Sequence, residues 1–290
     1  MKRGCVIGYD INEKGCQISY YDDSMEEPDT MMASSNNYLI PLVLGYFKDR
    51  WVFGKEAKRL AVVGEDCTET DLYGKAKRRE KVSLAGKTYD AVWLLAKYIS
   101  LTLQDFENIQ YLTFTTPETD VDMAKMLKGI GQHIGVDKEI INVQDYKESF
   151  CQYMIFQPKE LWQYESALFY CDEDRIKAYM LRRLRVDASH GMNSFVTVDE
   201  VANAQRKELE ALYPIMNKEK SPDESFKSMI ENVFEKKVIS SVYLTGEGFE
   251  KNWYPNSLRV LCNGRRAFMG NNLYSKGACY KSIRKCEPND

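Results

Sequence analysis

The stretch "CVIGYDINEKGCQISYY", residues 5–21, sets a charged turn between two apolar runs. Both runs are rich in β-branched and aromatic residues, and the turn "NEKG" ends in a glycine, so the stretch predicts a β-hairpin. Asp10 lies at the end of the first run. A carboxylate at the end of a strand, beside a tight turn, can position a phosphate group and a metal ion. The stretch therefore indicates either a nucleotide site or the remains of one.

The composition is that of an ordinary globular protein. The chain has 290 residues, which is enough for two domains of ~100–200 residues each. The formal net charge of -3 gives no electrostatic reason to expect a nucleic acid as the partner. The longest apolar run, residues 38–47, contains a proline and is far shorter than the ~20 residues of a membrane helix. We therefore expect no membrane partner and a cytoplasmic location.

Cysteine and histidine are not arranged as the ligands of a metal site. The eight cysteines are scattered without a CxxC pair, and the chain has only two histidines. Reduced and mostly buried thiols are the simpler interpretation of this pattern. We therefore expect no zinc and no haem.

The first half alternates strands and helices. Strand patterns follow the hairpin over residues 38–47, and a short helix is predicted to end at Gly64. Apolar residues recur at helical spacing over residues 89–106, without proline or glycine, which predicts an amphipathic helix. The half is completed by a strand running into Pro117, a helix to Gly135, the strand "EIINVQ" and a helix capped by Asp145.

The second half repeats that order. "ESALFYC" and "RIKAYMLRRLRV" predict two strands around the tight turn "DED". Helices are predicted over residues 199–213 and 223–236, before a strand that ends in a Gly-Glu-Gly loop and a last helix rich in small residues. This weak internal duplication predicts an α/β fold with two related domains, residues 1–158 and 159–290, facing a central crevice. A ligand is expected in that crevice, where strand ends and helix starts converge.

Five stretches spread over the chain resemble one superfamily. They are "VIGYDINEKGCQISYY", "RWVFGKEAKRLA", the region "YLTFTTPETD" to "DYKESFCQY", "VYLTGEGF" and "NNLYSKGACY". Together they resemble actin, the sugar kinases and above all the ATPase domain of the seventy-kilodalton heat-shock chaperones and the bacterial actin-like proteins. The resemblance implies two duplicated actin-like, or ribonuclease-H-like, domains that bind ATP or ADP with magnesium in the crevice.

The resemblance also implies candidate residues for each part of such a site. The nucleotide-binding candidates are Asp10, Asn12, Glu13, Lys14 and Gly15 in the first hairpin, Lys77, and Gly246, Glu247 and Gly248 in the adenosine loop. The catalytic candidates are Asp10, Gln144, Asp145 and Asp172, and the candidates for metal ligands are Asp10, Asp172 and Asp174. Each set has a structural alternative: a helix cap for Asp145, a strand-ending turn for the two loop glycines, and a solvated hairpin for the acids.

The departures from the family pattern weaken the case for catalysis. Asn12 stands where the family has a glycine and Glu13 where it has a threonine. One like-charge pair at ~4 Å costs about 4 kcal/mol at an effective dielectric near 20, so Glu13 opposes a triphosphate. In the second hairpin, the turn at residues 172–175 replaces a glycine-rich loop. We expect one of the cations Lys14, Lys77 and Arg175 to pair with Glu13 and the acids of this turn, and Arg175 is the best candidate because its planar fork can bind a carboxylate with two hydrogen bonds.

The sequence therefore predicts a degenerate, chaperone-ATPase-like protein. It would hydrolyse ATP weakly or not at all, leave adenine nucleotide binding open, and act as a regulatory or interaction protein with an unknown protein partner. One alternative is an active, metal-dependent ATPase or kinase with divergent phosphate loops. Another is an actin-like filament or scaffold subunit.

Overall fold

The chain folds into two compact units. The computed structural model describes residues 4–35, 37–64, 67–188, 191–205 and 221–286. Unit 1 consists of Met1–Tyr153 and Tyr274–Asp290, and unit 2 consists of Met154–Leu273. Unit 1 is thus built from both ends of the chain, whereas unit 2 is one continuous segment. The predicted domain boundary lies after residue 158, a few residues beyond the end of the first segment of unit 1.

The first 155 residues carry eleven strands and five helices within the described ranges. The strands are β1 (Cys5–Ile11), β2 (Gly15–Tyr21), β3 (Asp29–Thr30), β4 (Ile40–Pro41), β5 (Leu44–Phe47), β6 (Arg50–Phe53), β7 (Thr68–Glu69), β8 (Lys81–Leu84), β9 (Lys87–Asp90), β10 (Ile109–Thr116) and β11 (Ile141–Asp145). The helices are α1 (Gly54–Val63), α2 (Leu72–Lys77), α3 (Ala91–Thr102), α4 (Val121–His133) and α5 (Tyr146–Ile155).

The main sheet of unit 1 has the order β11-β10-β1-β2-β3, with β4 also paired to β2. The hairpin of β1 and β2 is antiparallel, as predicted, whereas β1, β10 and β11 run parallel. The register pairs Asp10 with Thr115 and Thr116 with Asp145. Parallel strands end at the same edge of a sheet. Asp10 and the residues that follow β10 and β11 therefore lie at one edge, which we call the carboxyl edge of unit 1.

Unit 2 is built on a five-stranded sheet, whereas the main sheet of unit 1 has six strands. Its elements are β12 (Glu165–Cys171), β13 (Arg175–Ala188), β14 (Gly191–Gln205), α6 (Pro222–Phe234), β15 (Ile239–Thr245), α7 (Pro255–Leu261) and β16 (Arg266–Met269). The sheet order is β14-β13-β12-β15-β16, with β12 antiparallel to β13 and parallel to β15. From the first strand outward, the order and directions match those of the main sheet in unit 1. The mixed α/β class is confirmed.

The last helix, α8 (Leu273–Cys286), packs on the main sheet of unit 1. A side chain at Gly8 on β1 would place its Cβ 2.1 Å from the carbonyl oxygen of Ser275. The hydroxyl of Ser282 donates to the carbonyl of Ile7 at 3.0 Å, and the hydroxyls of Ser19 and Ser275 lie 2.8 Å apart. Small residues on both surfaces therefore let the helix backbone approach the strand.

One predicted helix is wrong. Residues 199–205 of the predicted helix over 199–213 belong to β14, and the remainder lies outside the described residues. The long strand β13 supplies a hydrogen-bonding edge, and the register pairs Ala178 with Ala202 and Met180 with Asp199. Tertiary pairing of this kind overrides the weak helix propensity of a polar, alanine-containing segment.

Arg175 forms no salt bridge with any residue in the described ranges, so its expected pairing with the turn acids is also wrong.

Each unit has its own apolar core. In unit 1 the buried residues include Ile7, Leu94 and Phe114, from the sheet and from α3. In unit 2, Phe226 of α6 packs edge-on against Phe169 of β12, with ring centroids 5.4 Å apart. None of the helices in the described part of the chain is long and apolar enough to cross a membrane.

Candidate functional site

Asp10 is almost completely buried at the carboxyl edge of unit 1. Only 4% of the residue is exposed, and its Oδ1 accepts a hydrogen bond of 2.8 Å from the Tyr146 hydroxyl. Burial raises the pKa of Asp10 to about 7, against the opposing effect of that hydrogen bond. The carboxyl group that the family resemblance assigns to a metal ion is therefore covered by a tyrosine and carries a proton for part of the neutral pH range.

Tyr146 is itself held from two sides. Its ring stacks on that of Tyr274, with centroids 3.6 Å apart and planes inclined by 5°. The Asn12 side-chain amide donates to the Tyr146 hydroxyl at 3.1 Å, so the hydrogen bonds run from Asn12 to Tyr146 to Asp10. Neither tyrosine is among the residues that the sequence pattern selects. Tyr146 could have been found, since it directly follows Asp145, the predicted cap at the same sheet edge.

The turn between β1 and β2 uses its own backbone donors. Asn12 Oδ1 accepts hydrogen bonds from the backbone amides of Lys14, at 2.8 Å, and Gly15, at 3.2 Å. The amide of Asn12 donates to the carbonyl of Gly15 at 3.0 Å. A phosphate-binding turn presents free backbone N–H groups to the ligand. Here two of those groups are bonded to Asn12, while Glu13 and Lys14 are exposed at the tip.

The turn between β12 and β13 has the same construction. Asp172 Oδ1 accepts from the backbone amides of Asp174, at 2.8 Å, and Arg175, at 2.7 Å. The amide of Asp172 donates to the carbonyl of Arg175 at 3.1 Å. Asp172 thus has the place in its turn that Asn12 has in the first, and the counterpart of Asp10 is Tyr170. Among the described residues, no group of three or more His, Cys, Asp or Glu side chains is placed to hold a metal ion.

The two candidates at the end of β11 have structural partners. Gln144 is buried, and its Nε2 donates to the Ser149 hydroxyl at 2.7 Å. Asp145 Oδ1 accepts from the backbone amide of Glu148 at 2.9 Å, so its predicted capping role is confirmed. A glutamine that positions a water molecule must have its amide available to that water. The geometry instead directs the amide of Gln144 into the protein.

The glycines of the predicted adenosine loop lie against β12. Gly246 has a φ of 92°, which favours glycine, and a Cβ there would lie 2.2 Å from the Cys171 carbonyl oxygen. A Cβ at Gly248 would lie 2.2 Å from the Cys171 Sγ. Packing against the end of β12 therefore requires both glycines. Glu247, between them, begins the 3₁₀ turn Glu247–Phe249.

Tyr73 is influenced by several charged side chains of unit 1. Its ring is buried on α2, and the exposed Lys77 places its Nζ 5.7 Å from the ring centroid. The pKa of Tyr73 is raised, first by burial and then by the negative charges around it. Those charges belong to Asp10, Glu13, Asp120 and Glu118, in decreasing order of effect. We call Tyr73 and these four carboxyl groups the acidic corner.

The chain matches a known protein family over most of its length. Residues 27–290 match the model of a protein family described as "Family of unknown function (DUF5716) C-terminal". No curated protein matches the chain.

Proposed function

We propose that this chain, which belongs to the DUF5716 C-terminal family, is an actin-like protein that does not hydrolyse ATP and serves as a regulatory or interaction protein. One observation carries the proposal. The corner that would receive the nucleotide's phosphates is occupied by the protein's own side chains, because Tyr146 covers Asp10 and Asn12 binds the backbone amides of its turn.

The sheets support the actin-like part of the proposal. Both units start with an antiparallel hairpin. In each sheet, the first strand of the hairpin is paired on its other side with a parallel strand, and that strand is paired with a second parallel strand. The chain returns to unit 1 at Tyr274, as the resemblance to the chaperone ATPases implies. Two sheets of equal order in one chain are expected for duplicated domains of this superfamily.

The contacts of the catalytic candidates support the loss of hydrolysis. Phosphoryl transfer depends on positioning and on electrostatic stabilisation of the phosphates. Asp10 is buried beneath Tyr146, and the amide of Gln144 is bonded to Ser149. Glu13 adds a negative charge at the tip of the first turn. These residues leave few groups to bind magnesium, to cradle phosphate or to orient the attacking water.

A single-turnover assay tests the proposal. Labelled ATP is mixed with excess protein in magnesium and then in manganese, using the native chain and the Asp10→Asn variant. We expect no hydrolysis above background and no effect of the substitution, with the exposed Asp105→Asn as a matched control. A hydrolysis rate that falls in Asp10→Asn but not in Asp105→Asn would refute the proposal.

A melting experiment adds a second readout. A ligand present at a hundred times its Kd stabilises the folded state by ~2.7 kcal/mol, and each kcal/mol raises Tm by ~2–4 °C for a chain of this size. We expect magnesium to make no difference to the Tm measured with millimolar ATP. A magnesium-dependent rise of several degrees would favour the active ATPase instead.

A further inference from the structure

Four aromatic side chains of unit 1 form one cluster at its surface. Tyr46 and Trp51 lie directly opposite each other in the hairpin of β5 and β6, with ring centroids 5.2 Å apart. Trp51 also contacts Tyr89 of β9, at 5.7 Å, and Trp93 of α3, at 5.8 Å. The rings of Tyr89 and Trp93 stack with centroids 5.5 Å apart. We call Tyr46, Trp51, Tyr89 and Trp93 the aromatic patch.

Local backbone structure holds these rings in place. Asp90 follows Tyr89 and caps α3, since its Oδ1 accepts from the backbone amides of Val92, at 2.9 Å, and Trp93, at 3.4 Å. The cap starts the helix directly after β9, and the planes of the Tyr89 and Trp93 rings are inclined by only 12°. Strand pairing fixes the two rings of the β5–β6 hairpin. A preorganised patch loses little side-chain freedom when a ligand binds.

The aromatic patch is open to solvent. Trp93 is 39% exposed, and the other three side chains are partly exposed. Single apolar side chains are common on protein surfaces, whereas contiguous apolar patches mark interaction sites. Trp and Tyr are also the residues that contribute most to binding at protein interfaces. The patch therefore has the composition of a docking site.

The polar tips of the patch are available to a ligand. In unit 2, the indole N–H groups of Trp162 and Trp253 donate to the backbone carbonyls of Gln157, at 3.0 Å, and Gly248, at 2.7 Å. The two indole N–H groups and two hydroxyls of the patch bond to no residue in the described ranges. None of them is a buried atom without a partner. The patch thus presents apolar rings together with hydrogen-bond donors.

The acids on the same elements already have partners. Asp90, besides capping α3, lies 3.9 Å from Lys81 Nζ, and Glu56 of α1 pairs with Arg50 of β6. A carboxylate that is engaged in this way attracts a further cation less strongly. Rings and donors, rather than charge, therefore set the chemistry of the ligand.

We infer that the aromatic patch binds a proline-rich segment of a partner protein in the polyproline II conformation. Such a segment has no internal hydrogen bonds and its prolines have no N–H, so its backbone presents carbonyl acceptors. Its pyrrolidine rings pack on aromatic side chains, which is how aromatic-lined grooves bind such segments. The indole N–H groups and the tyrosine hydroxyls can donate to its carbonyls. Acceptors and apolar rings on the segment thus match donors and apolar rings on the patch.

Two further observations favour this occupant. The ring of Trp51 is inclined by 58–70° to its three neighbours, so the patch is stepped rather than flat. A flat sugar or base would stack on one ring, whereas the ridged surface of a polyproline II helix can contact several. The eight prolines of this chain include no two that are three residues apart, so its 290 residues contain no PxxP segment and the occupant comes from another protein.

This inference deepens the proposed function and rests on its interaction role, since it names the chemistry of the partner. The aromatic patch shares no residue with the acidic corner. Peptide binding and ATP hydrolysis can therefore be tested independently of each other.

Titration with a proline decamer, blocked at both ends, tests the inference on the full chain. Binding is followed by the NMR resonances of the four indole N–H groups, assigned with single Trp→Phe variants. A decamer of alternating glycine and serine is the matched control. We expect saturable shifts at Trp51 and Trp93 with the proline decamer alone, and none at Trp162 and Trp253. No shift at either patch tryptophan, or equal shifts from the two peptides, would overturn the inference.

Two variants locate the site. Trp93→Ala removes an exposed ring, and we expect Kd to rise at least about tenfold. Tyr89→Phe keeps the ring and removes one donor, and we expect a rise of a few-fold. Tyr164→Ala, at a side chain of unit 2 that is 54% exposed, should leave Kd unchanged. A cooperative thermal melt shows that each variant is folded, and native-like binding by both patch variants would contradict the inference.

Other ligands give distinct outcomes. Tighter binding of maltohexaose, choline or oligothymidine at the same resonances would assign the patch to a sugar, a quaternary ammonium ion or a single-stranded nucleic acid, and would overturn the inference. Self-association of the native chain that Trp93→Ala abolishes would assign the patch to a second copy and overturn it too. Hydrolysis of ATP is measured on the same samples. Absent hydrolysis with no peptide binding contradicts this inference alone, whereas hydrolysis that depends on Asp10 contradicts the proposed function.

Discussion

Asp10 is a single residue whose surroundings change the chemistry of its carboxyl group. It lies at the end of the first strand, where Tyr146 donates a hydrogen bond to it and Tyr274 stacks behind that tyrosine. A carboxyl group without a nearby cation is costly to ionise when it is buried. Ionisation of Asp10 at high pH therefore lowers the free energy of unfolding of the protein.

The pH dependence of stability should report that charge. The pKa of Asp10 is about 7 in the folded chain against an ordinary 3.8, so between these values the folded state holds a proton that the unfolded state has lost. Stability from this group is complete below about pH 4 and is lost as the pH rises through about 7. The full difference corresponds to about 4 kcal/mol.

Asp10→Asn removes the titration and keeps an oxygen that can accept from Tyr146. We expect its free energy of unfolding, relative to the native chain, to increase by up to about 4 kcal/mol between about pH 4 and about pH 8. Urea unfolding at several pH values measures this difference. Asp105→Asn should show no comparable trend, and a pH-independent difference for Asp10→Asn would contradict the prediction.

At the scale of elements, close backbone contacts hold α8 in unit 1. The helix packs on β1 at Gly8 and on α5 at Gly277, where a Cβ would lie 2.0 Å from the Ser149 carbonyl oxygen. The obstacle is backbone rather than a flexible side chain, so the helix itself must move to accept a methyl group. Since Tyr274 lies on the same helix, its stacking on Tyr146 depends on this fit.

Gly277→Ala is expected to destabilise the protein by about 1–3 kcal/mol, because overpacking forces the helix away from α5. Gly129→Ala in α4 is the matched control, since no atom lies within 4 Å of the position of its Cβ. That change should stabilise by about 0.5–1 kcal/mol through helix propensity. Denaturant unfolding of both variants measures the contrast, and equal effects of the two substitutions would count against the packing argument.

At the scale of the whole molecule, the chain path makes the two units unequal. Unit 2 is one segment with its own core around Phe226, whereas unit 1 needs the C-terminal helix to cover β1. A segment that carries its own core and all strands of its sheet can fold alone. A segment that lacks the cover of its sheet leaves apolar surface exposed to water.

Expression of fragments tests this asymmetry. We expect residues 157–272 to unfold cooperatively on heating, as a single domain does. Residues 1–153 without α8 should be aggregated or lack a cooperative transition. Circular dichroism and thermal melts distinguish the two outcomes. Cooperative unfolding of residues 1–153 alone would show that α8 is not needed to complete unit 1.

Local patterns in the sequence determined the elements whose hydrogen bonds are local. The alternating runs around "NEKG" form the hairpin of β1 and β2, and the helical spacing within residues 89–106 forms α3. Asp120 and Asp145 cap their helices because each cap needs only an amide three residues later. The α/β class follows from the alternation of these elements.

Tertiary structure decided what depends on residues distant in the chain. Residues 199–205 are strand because β13 pairs with them, not because of their own propensity. Tyr146 covers Asp10 although the two are 136 residues apart, and no local pattern records that contact. The loop glycines fit against Cys171 for the same reason. Sheet pairing brings such residues together only after the chain has closed long loops, so their chemistry is set by the fold and not by sequence spacing.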